Sequence, residues 1–449
     1  MARTTDTIAA LATPAGTAAI ALIRISGPDT KTLAGAVLGA PPAARSATRG
    51  DYADLSGCLV DDVLFTLFAG PNSYTGEDTL EISCHGSPFI AQRILEDLFA
   101  RGCRPAEPGE FTRRAFLNGR MDLSQAEAVM DLIHARSERA LAAAHRQLRG
   151  ALGRHLRTLS DGTLDALARV EAYIDFPDED LPPEDLAALR SGLEAVRDGT
   201  RRLLATHHYG DLLREGAKTV IAGEPNAGKS SLLNRLLGRD RAIVSAEPGT
   251  TRDYLEDSVV IGPHCLRLID TAGLNPAPAP LEKLGIDKSF ERIAEADLLL
   301  VVFDATRPTP PFVGGLDLDP ARAVIVLNKA DLLKGAAVAA PPAGIDAVEV
   351  SALTGAGIED LRALLVEKAD AFQAVAGEDA VAINARHAHA LAQANECLAA
   401  ALQKLGGRPA SELLASDLRG ALEAFGEIAG RIDNERVLDR LFSSFCIGK

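Results

Sequence analysis

The octapeptide Gly223-Glu224-Pro225-Asn226-Ala227-Gly228-Lys229-Ser230 has the G-x-x-x-x-G-K-S spacing of a phosphate-binding loop. Its glycines let backbone N–H groups close around phosphates, and the helix that follows adds partial positive charge. In that arrangement Lys229 reaches the β/γ-phosphates and the Ser230 hydroxyl ligates Mg²⁺, with Ala227, Gly228 and Ser231 completing the wall. A plain glycine turn would leave the rest of the chain unexplained. Leu268-Ile269-Asp270-Thr271-Ala272-Gly273 ends an apolar run in an Asp able to hold Mg²⁺ through water, and a Gly whose N–H meets the γ-phosphate. Asn328-Lys329-Ala330-Asp331 supplies N-K-x-D, whose carboxylate accepts two hydrogen bonds from guanine that adenine does not offer. Ser351-Ala352 follows the next strand, where a backbone N–H can meet the guanine oxygen. Gly249-Thr250-Thr251 lies between the first two motifs, and the Thr251 hydroxyl caps Mg²⁺ when GTP is bound. The P-loop followed by these four further motifs specifies a GTPase.

Two positions qualify that reading. Leu274 stands where many small GTPases carry a water-orienting Gln, so another group must hold the attacking water. Asn226 either caps its own loop or offers an amide oxygen to a monovalent cation, which would offset transition-state charge as an arginine finger does. The terminal Cys446 is either an inert apolar thiol or one presented into a pocket, and C-x-x-K is no prenylation box.

The elements that position these residues follow from periodicity. Residues 18–25, 63–68 and 80–84 read as strands, and 88–101 as an amphipathic helix, an α+β pattern. From Leu123 the texture is helical, opened by Ser124-x-x-Glu127 in capping-box spacing. A stripe then runs through Val129, Leu132, Ile133, Leu141, Leu148, Leu152, Leu156 and Leu159, and a second run carries Leu164, Leu167, Val170 and Ile174. A third helix covers roughly 184–205 beyond the break at Phe176–Pro183. Residues 217–373 alternate strand and helix, and the chain is helical again from about 380 to 442. The expected fold is multidomain α/β: an α+β N-terminal domain (1–118), a discontinuous helical bundle (119–215 and 374–449), and an inserted Ras-like P-loop GTPase domain (216–373).

Composition narrows the class. A formal charge of -15 disfavours general nucleic-acid binding, so any RNA contact must be local or shared with a partner. Six dispersed cysteines with no C-x-x-C pair argue for a reducing compartment and against a zinc site. No apolar run reaches membrane-spanning length and no secretory leader is evident, so a cytoplasmic protein is expected.

With these residues in hand the chain resembles the MnmE (TrmE) family of tRNA wobble-uridine modification GTPases, nearly end to end. The resemblance rests on Thr75-Gly76-Glu77-Asp78, Cys84-His85-Gly86, Pro108-Gly109-Glu110-Phe111, Arg114 to Arg120, Ile174-Asp175-Phe176-Pro177 and the terminal Cys446-Ile447-Gly448-Lys449. It implies an N-terminal domain that dimerises and binds a tetrahydrofolate derivative (5-formyl- or methylene-), with Arg24, Glu81, Arg120 and Lys449 at the matching positions. It implies that Cys446 lies near the folate, and that Asn226, Ser245, Glu247 and Thr250 match K⁺-binding positions. Glu282 matches the residue that positions water indirectly. It further implies a homodimer joined in a heterotetramer by MnmG, an FAD-carrying flavoprotein. The expected catalytic set is Glu282, Lys229, Thr251, Asp270 and Cys446. Three departures stand out: Thr13-Pro14-Ala15-Gly16-Thr17-Ala18-Ala19 in the glycine-rich turn, prolines 276, 278 and 280 after D-T-A-G, and Glu247 for a usually apolar residue. A ribosome-assembly or signalling GTPase without one-carbon chemistry is the competing reading; such a factor normally carries a basic RNA module that this chain lacks.

Overall fold

The computed structural model describes residues 6–175, 183–238, 256–270, 293–333, 340–377, 380–405, 411–430, 438, 441–443 and 445–448. Two compact units emerge, one built from the chain up to Met130 together with the segment from Gly426 onward, the other from Asp131–Phe425. The fold is multidomain α/β.

In the first unit, strands β1 (Ile8–Leu11), β2 (Ile20–Ser26), β3 (Ala47–Ala53), β4 (Leu59–Phe68), β5 (Thr79–His85) and β6 (Arg104–Pro105) form one sheet in the order β3-β4-β5-β2-β1-β6. All pairs are antiparallel except β1 with β6. The period-two alternation of β5 turns Leu80, Ile82 and Cys84 inward, where they join Ile23, Ile25 and Phe65 under Ile94 and Leu98 of the Pro88–Ala100 helix. Each such side chain contributes roughly 1.5–3 kcal/mol by leaving water. The opposite face therefore carries Arg24 and Glu81, which stand directly across from one another in the β2–β5 register. Leu438, Phe442 and Phe445 pack with Leu123 and Ala126, which ties the chain's far end to this unit.

In the second unit, β7 (Ala217–Gly223), β8 (Glu256–Ile261), β9 (His264–Asp270), β10 (Leu298–Asp304), β11 (Ala323–Asn328) and β12 (Asp346–Glu349) make a sheet ordered β12-β11-β10-β7-β9-β8. Only β8 runs antiparallel. Alternate residues of these strands enter separate cores on the two faces: Ile221, Leu300, Val302 and Val326 on one, Val220, Val301, Phe303 and Ile325 on the other. Burial on both faces explains the near-continuous apolar runs. The Ala385–Lys404 helix, which follows the sheet in sequence, packs against Pro183–Ala205, which precedes it, and Arg197 reaches Asn395. No helix among the described residues is long and apolar enough to cross a membrane.

Two local expectations need correction. The capping box at the start of the Leu123–His134 helix is Asp122 with Gln125, not Ser124 with Glu127. The Gln125 N–H donates to Asp122 Oδ1 at 2.8 Å, and the Asp122 N–H donates to Gln125 Oε1 at 2.9 Å. Ser124 already lies inside the first turn, its hydroxyl spent on Asp122. The long leucine stripe is also not continuous. Ser137 caps a new helix (Glu138–Leu148) and Gly150, at φ 77°, separates it from Ala151–Asp175, so the helical phase resets twice. Leu141 consequently faces solvent, and Ile133 and Leu164 lie off the buried faces of their own helices, while Leu152, Leu156 and Leu159 stay buried.

Candidate functional site

The parallel strands of the second unit end together, and their registers bring the nucleotide motifs to one edge. Gly223 lies level with Val302, Asp304 with Asn328, and Ile221 with Asp270. Loops leaving the carboxyl ends of such strands form the binding crevice of open α/β sheets. Beyond Gly223 the chain turns through Asn226, at φ 64°, and Gly228, at φ 95°, into the Lys229–Leu237 helix. A Cβ at Gly228 would lie 2.1 Å from Asn328 Nδ2, so only glycine fits. Lys229 is buried, and its ammonium donates to the carbonyls of Gly223 and Glu224 at 3.0 Å each. Ser230 and Asn226 are exposed on the same loop, and the Asn226 side chain makes no hydrogen bond to another described residue. Loop capping by Asn226 is therefore not observed.

Asn328 is buried and joins two motifs. Its Nδ2 donates to the Ala227 carbonyl at 2.9 Å, and its Oδ1 accepts from the Ala352 N–H at 3.0 Å. The Ala352 N–H is thus committed to Asn328, so this residue fixes the loop instead of offering that N–H to a base. Ser351 is fully buried and its Oγ accepts from the Thr354 N–H, which closes the same turn. Lys329 adopts φ 66° and donates to Asp304 Oδ2 at 2.7 Å, which fixes its ammonium beside the loop. Burial works to raise the Asp304 carboxyl, but hydrogen bonds from Lys329 and Thr306 outweigh it and hold the group below its ordinary range. Asp331 is exposed on the next turn, free of those ties.

Two contributors were not singled out from sequence. Asp304 ends an apolar strand in register with Asn328, a placement that only the sheet order reveals. Arg235, two turns into the helix after the P-loop, donates to the Ala352 carbonyl at 3.1 Å and to the Leu353 carbonyl, pinning the guanine-side loop from behind. Asp270 ends β9 as expected. Ser245, Glu247, Gly249, Thr250, Thr251, Thr271, Ala272, Gly273, Glu282 and Lys449 lie outside the described residues.

The first unit holds a second constellation. Arg24 donates to Glu81 Oε1 through Nε at 3.0 Å and NH2 at 2.8 Å, and through NH1 to the Gly448 carbonyl at 3.3 Å. The rings of Tyr74 and Phe111 lie 5.5 and 5.7 Å from its guanidinium carbon, within cation–π range. Gly448, at φ 94°, leaves no room for a Cβ, which would lie 2.3 Å from the Leu11 carbonyl. The Gly109 N–H donates to the Cys446 carbonyl at 3.3 Å. Cys446 is therefore held by its backbone while its thiol side stays exposed. Arg120 is exposed, its stem beside the Gly76 turn; Arg24, Glu81 and Gly448 are joined directly, and Arg120 is not bonded to them. The six cysteines are free thiols.

A buried ionic cluster supports this site. Arg114, 1% exposed, donates to Asp6 and Glu110 at 2.9 Å and to Glu77 at 3.2 Å. Glu77 also accepts from Ser26 at the end of β2. The residues Thr75 to Asp78 and Arg114 to Arg120 are thereby fixed to the strand that carries Arg24.

A family model described as the GTP-binding protein TrmE N-terminus matches residues 7–120, and one described as the MnmE helical domain matches residues 123–446. The chain is 59% identical to the tRNA modification GTPase MnmE of Opitutus terrae and 45% identical to that of Akkermansia muciniphila. Each alignment covers 99% of this chain and 99% of the relative.

Proposed function

The chain belongs to the MnmE (TrmE) family of tRNA modification GTPases, and from that premise we propose what its GTP hydrolysis serves. Hydrolysis drives, together with an FAD-dependent partner of the MnmG type, addition of a carboxymethylaminomethyl-type group to carbon 5 of the tRNA wobble uridine. The chain acts in the cytoplasm as a homodimer within a heterotetramer. Lys229 and Ser230 hold phosphates and Mg²⁺, joined by Thr251 and Asp270; Asn226, with Ser245, Glu247 and Thr250, holds K⁺; and Glu282 positions the water. Arg24, Glu81, Arg120 and Lys449 receive a reduced folate, which supplies the one-carbon unit when bound, and Cys446 borders the reacting group.

The observation that carries this reading is the seating of Cys446 to Gly448 against Arg24, with the Gly448 carbonyl on the guanidinium. A ribosome-assembly or signalling switch has no use for such an arrangement. The test is reconstitution with the flavoprotein, FAD, folate donor, an amine source and unmodified tRNA. Carbon-5-modified uridine should form with GTP and not with a non-hydrolysable analogue. Complete mixtures that hydrolyse GTP without modifying tRNA would favour the switch.

A further inference from the structure

Residues 134–157 hold six arginines and a single acid, Glu138, in a chain whose formal charge is -15. Arg139 is paired with Asp370. On the Glu138–Leu148 helix the exposed residues Leu141, Ala142, His145 and Arg146, with Arg149 at its end, fall at three- and four-residue intervals and so share one face. The chain then turns at Gly150 into the Ala151–Asp175 helix, whose first two turns carry the exposed Arg154 and Arg157 and no acidic residue. Basic residues at a helix start oppose the helix dipole. Here they add to its positive end instead of being offset by carboxylates.

Several surface arginines elsewhere are matched with acids: Arg49 with Asp62, Arg93 with Asp54, Arg214 with Asp131, Arg419 with Glu171. Among the described residues Arg146, Arg149, Arg154 and Arg157 have no carboxylate partner; Arg154 and Arg157 touch only the Arg149 and Gly153 carbonyls. Each guanidinium fork keeps donors free in the geometry that suits phosphate oxygens. The face offers one sizeable apolar side chain, Leu141, and no aromatic, which is poor equipment for entering a lipid interface.

We propose that this arginine corner docks the sugar-phosphate backbone of RNA, an inference that rests on the tRNA-modifying reading above. It gives an acidic chain one local surface on which a polyanion gains from counterion release. The contact positions the RNA and does not read its bases.

The test is titration of the full chain with a wobble-uridine tRNA transcript across a range of KCl concentrations. The triple variant Arg146→Gln, Arg149→Gln and Arg157→Gln should weaken binding by about tenfold or more and flatten the log K against log [salt] slope by about 2 to 3. The matching triple Lys variant should keep most of the affinity, and hydrolysis of GTP without RNA should not change in either. Unchanged affinity and slope in the Gln variant would overturn the proposal. So would a wild-type chain that binds no tRNA, or a loss seen only with phosphatidylserine vesicles. Failure of the family reading is separate and shows as unchanged wobble nucleosides in cells lacking the gene.

Discussion

Asn328 Nδ2 donates to the Ala227 carbonyl at 2.9 Å, so a residue of the guanine motif holds the phosphate loop in shape. The same carboxamide accepts from Ala352, which makes it the joint of three loops. Asn328→Ala leaves a buried carbonyl and a buried N–H unpaired, at about 1–3 kcal/mol each. Guanine-nucleotide affinity should fall at least about tenfold, read by titration with a fluorescent GDP. Affinity equal to wild type would mean the joint is dispensable.

How much of this was legible beforehand differs between the two sites. The P-loop, Asp270 and N-K-x-D could be read because each needs particular residue types at fixed short spacing beside an apolar run. Asp304 and Arg235 could not, since their roles depend on which strand neighbours which and on what lies behind a helix. The pairing of Arg24 with Glu81 spans 57 residues and the Gly448 contact 424, so only the family resemblance hinted at them. The leucine periodicity misled at Leu141 because the capped break at Ser137 resets the phase before it, which spacing alone does not register.

The Arg114 cluster should dominate the stability of the first unit. Arg114→Met removes the buried cation from Glu77 and Glu110 while Arg104 still holds Glu110 and Asp6, and breaking a buried pair costs up to about 3–5 kcal/mol. Thermal denaturation should show a clear drop in Tm for the variant. An unchanged midpoint would mean that the carboxylates find water instead.

Stability should also fall in acid. Burial works to raise the Glu110 carboxyl, but hydrogen bonds from Arg104, the Glu107 N–H and Arg114 outweigh it and hold the group below the ordinary glutamate value of 4.5. Because the folded value is the lower one, the stabilisation is full above pH 4.5 and is lost as pH falls through the folded value. Glu110→Gln should flatten that acid limb of a denaturation series. An identical limb in wild type and variant would assign it to other groups.

Arg24→Ala should weaken binding of 5-formyl-tetrahydrofolate about tenfold or more, since a hydrogen bond to a charged group is worth about 1.5–3 kcal/mol. Nucleotide affinity should hold. Calorimetric titration of both ligands separates the two, and an unaltered folate affinity would remove Arg24 from that site.

Replacing K⁺ by Na⁺ should slow GTP hydrolysis strongly while leaving nucleotide affinity nearly unchanged, because the ion acts mainly on the transition state. Asn226→Ala should hydrolyse at the same low rate in both salts. Equal wild-type rates in K⁺ and Na⁺ would return Asn226 to a role in loop shape, which its φ of 64° alone would explain.

The most direct test of the central claim is mass spectrometry of wobble nucleosides in tRNA from cells lacking this chain. The account predicts that carboxymethylaminomethyl-type uridines disappear, return with the wild-type gene, and fail to return with Cys446→Ser or with Lys229→Ala. Unchanged wobble uridines in the deletion strain would contradict it.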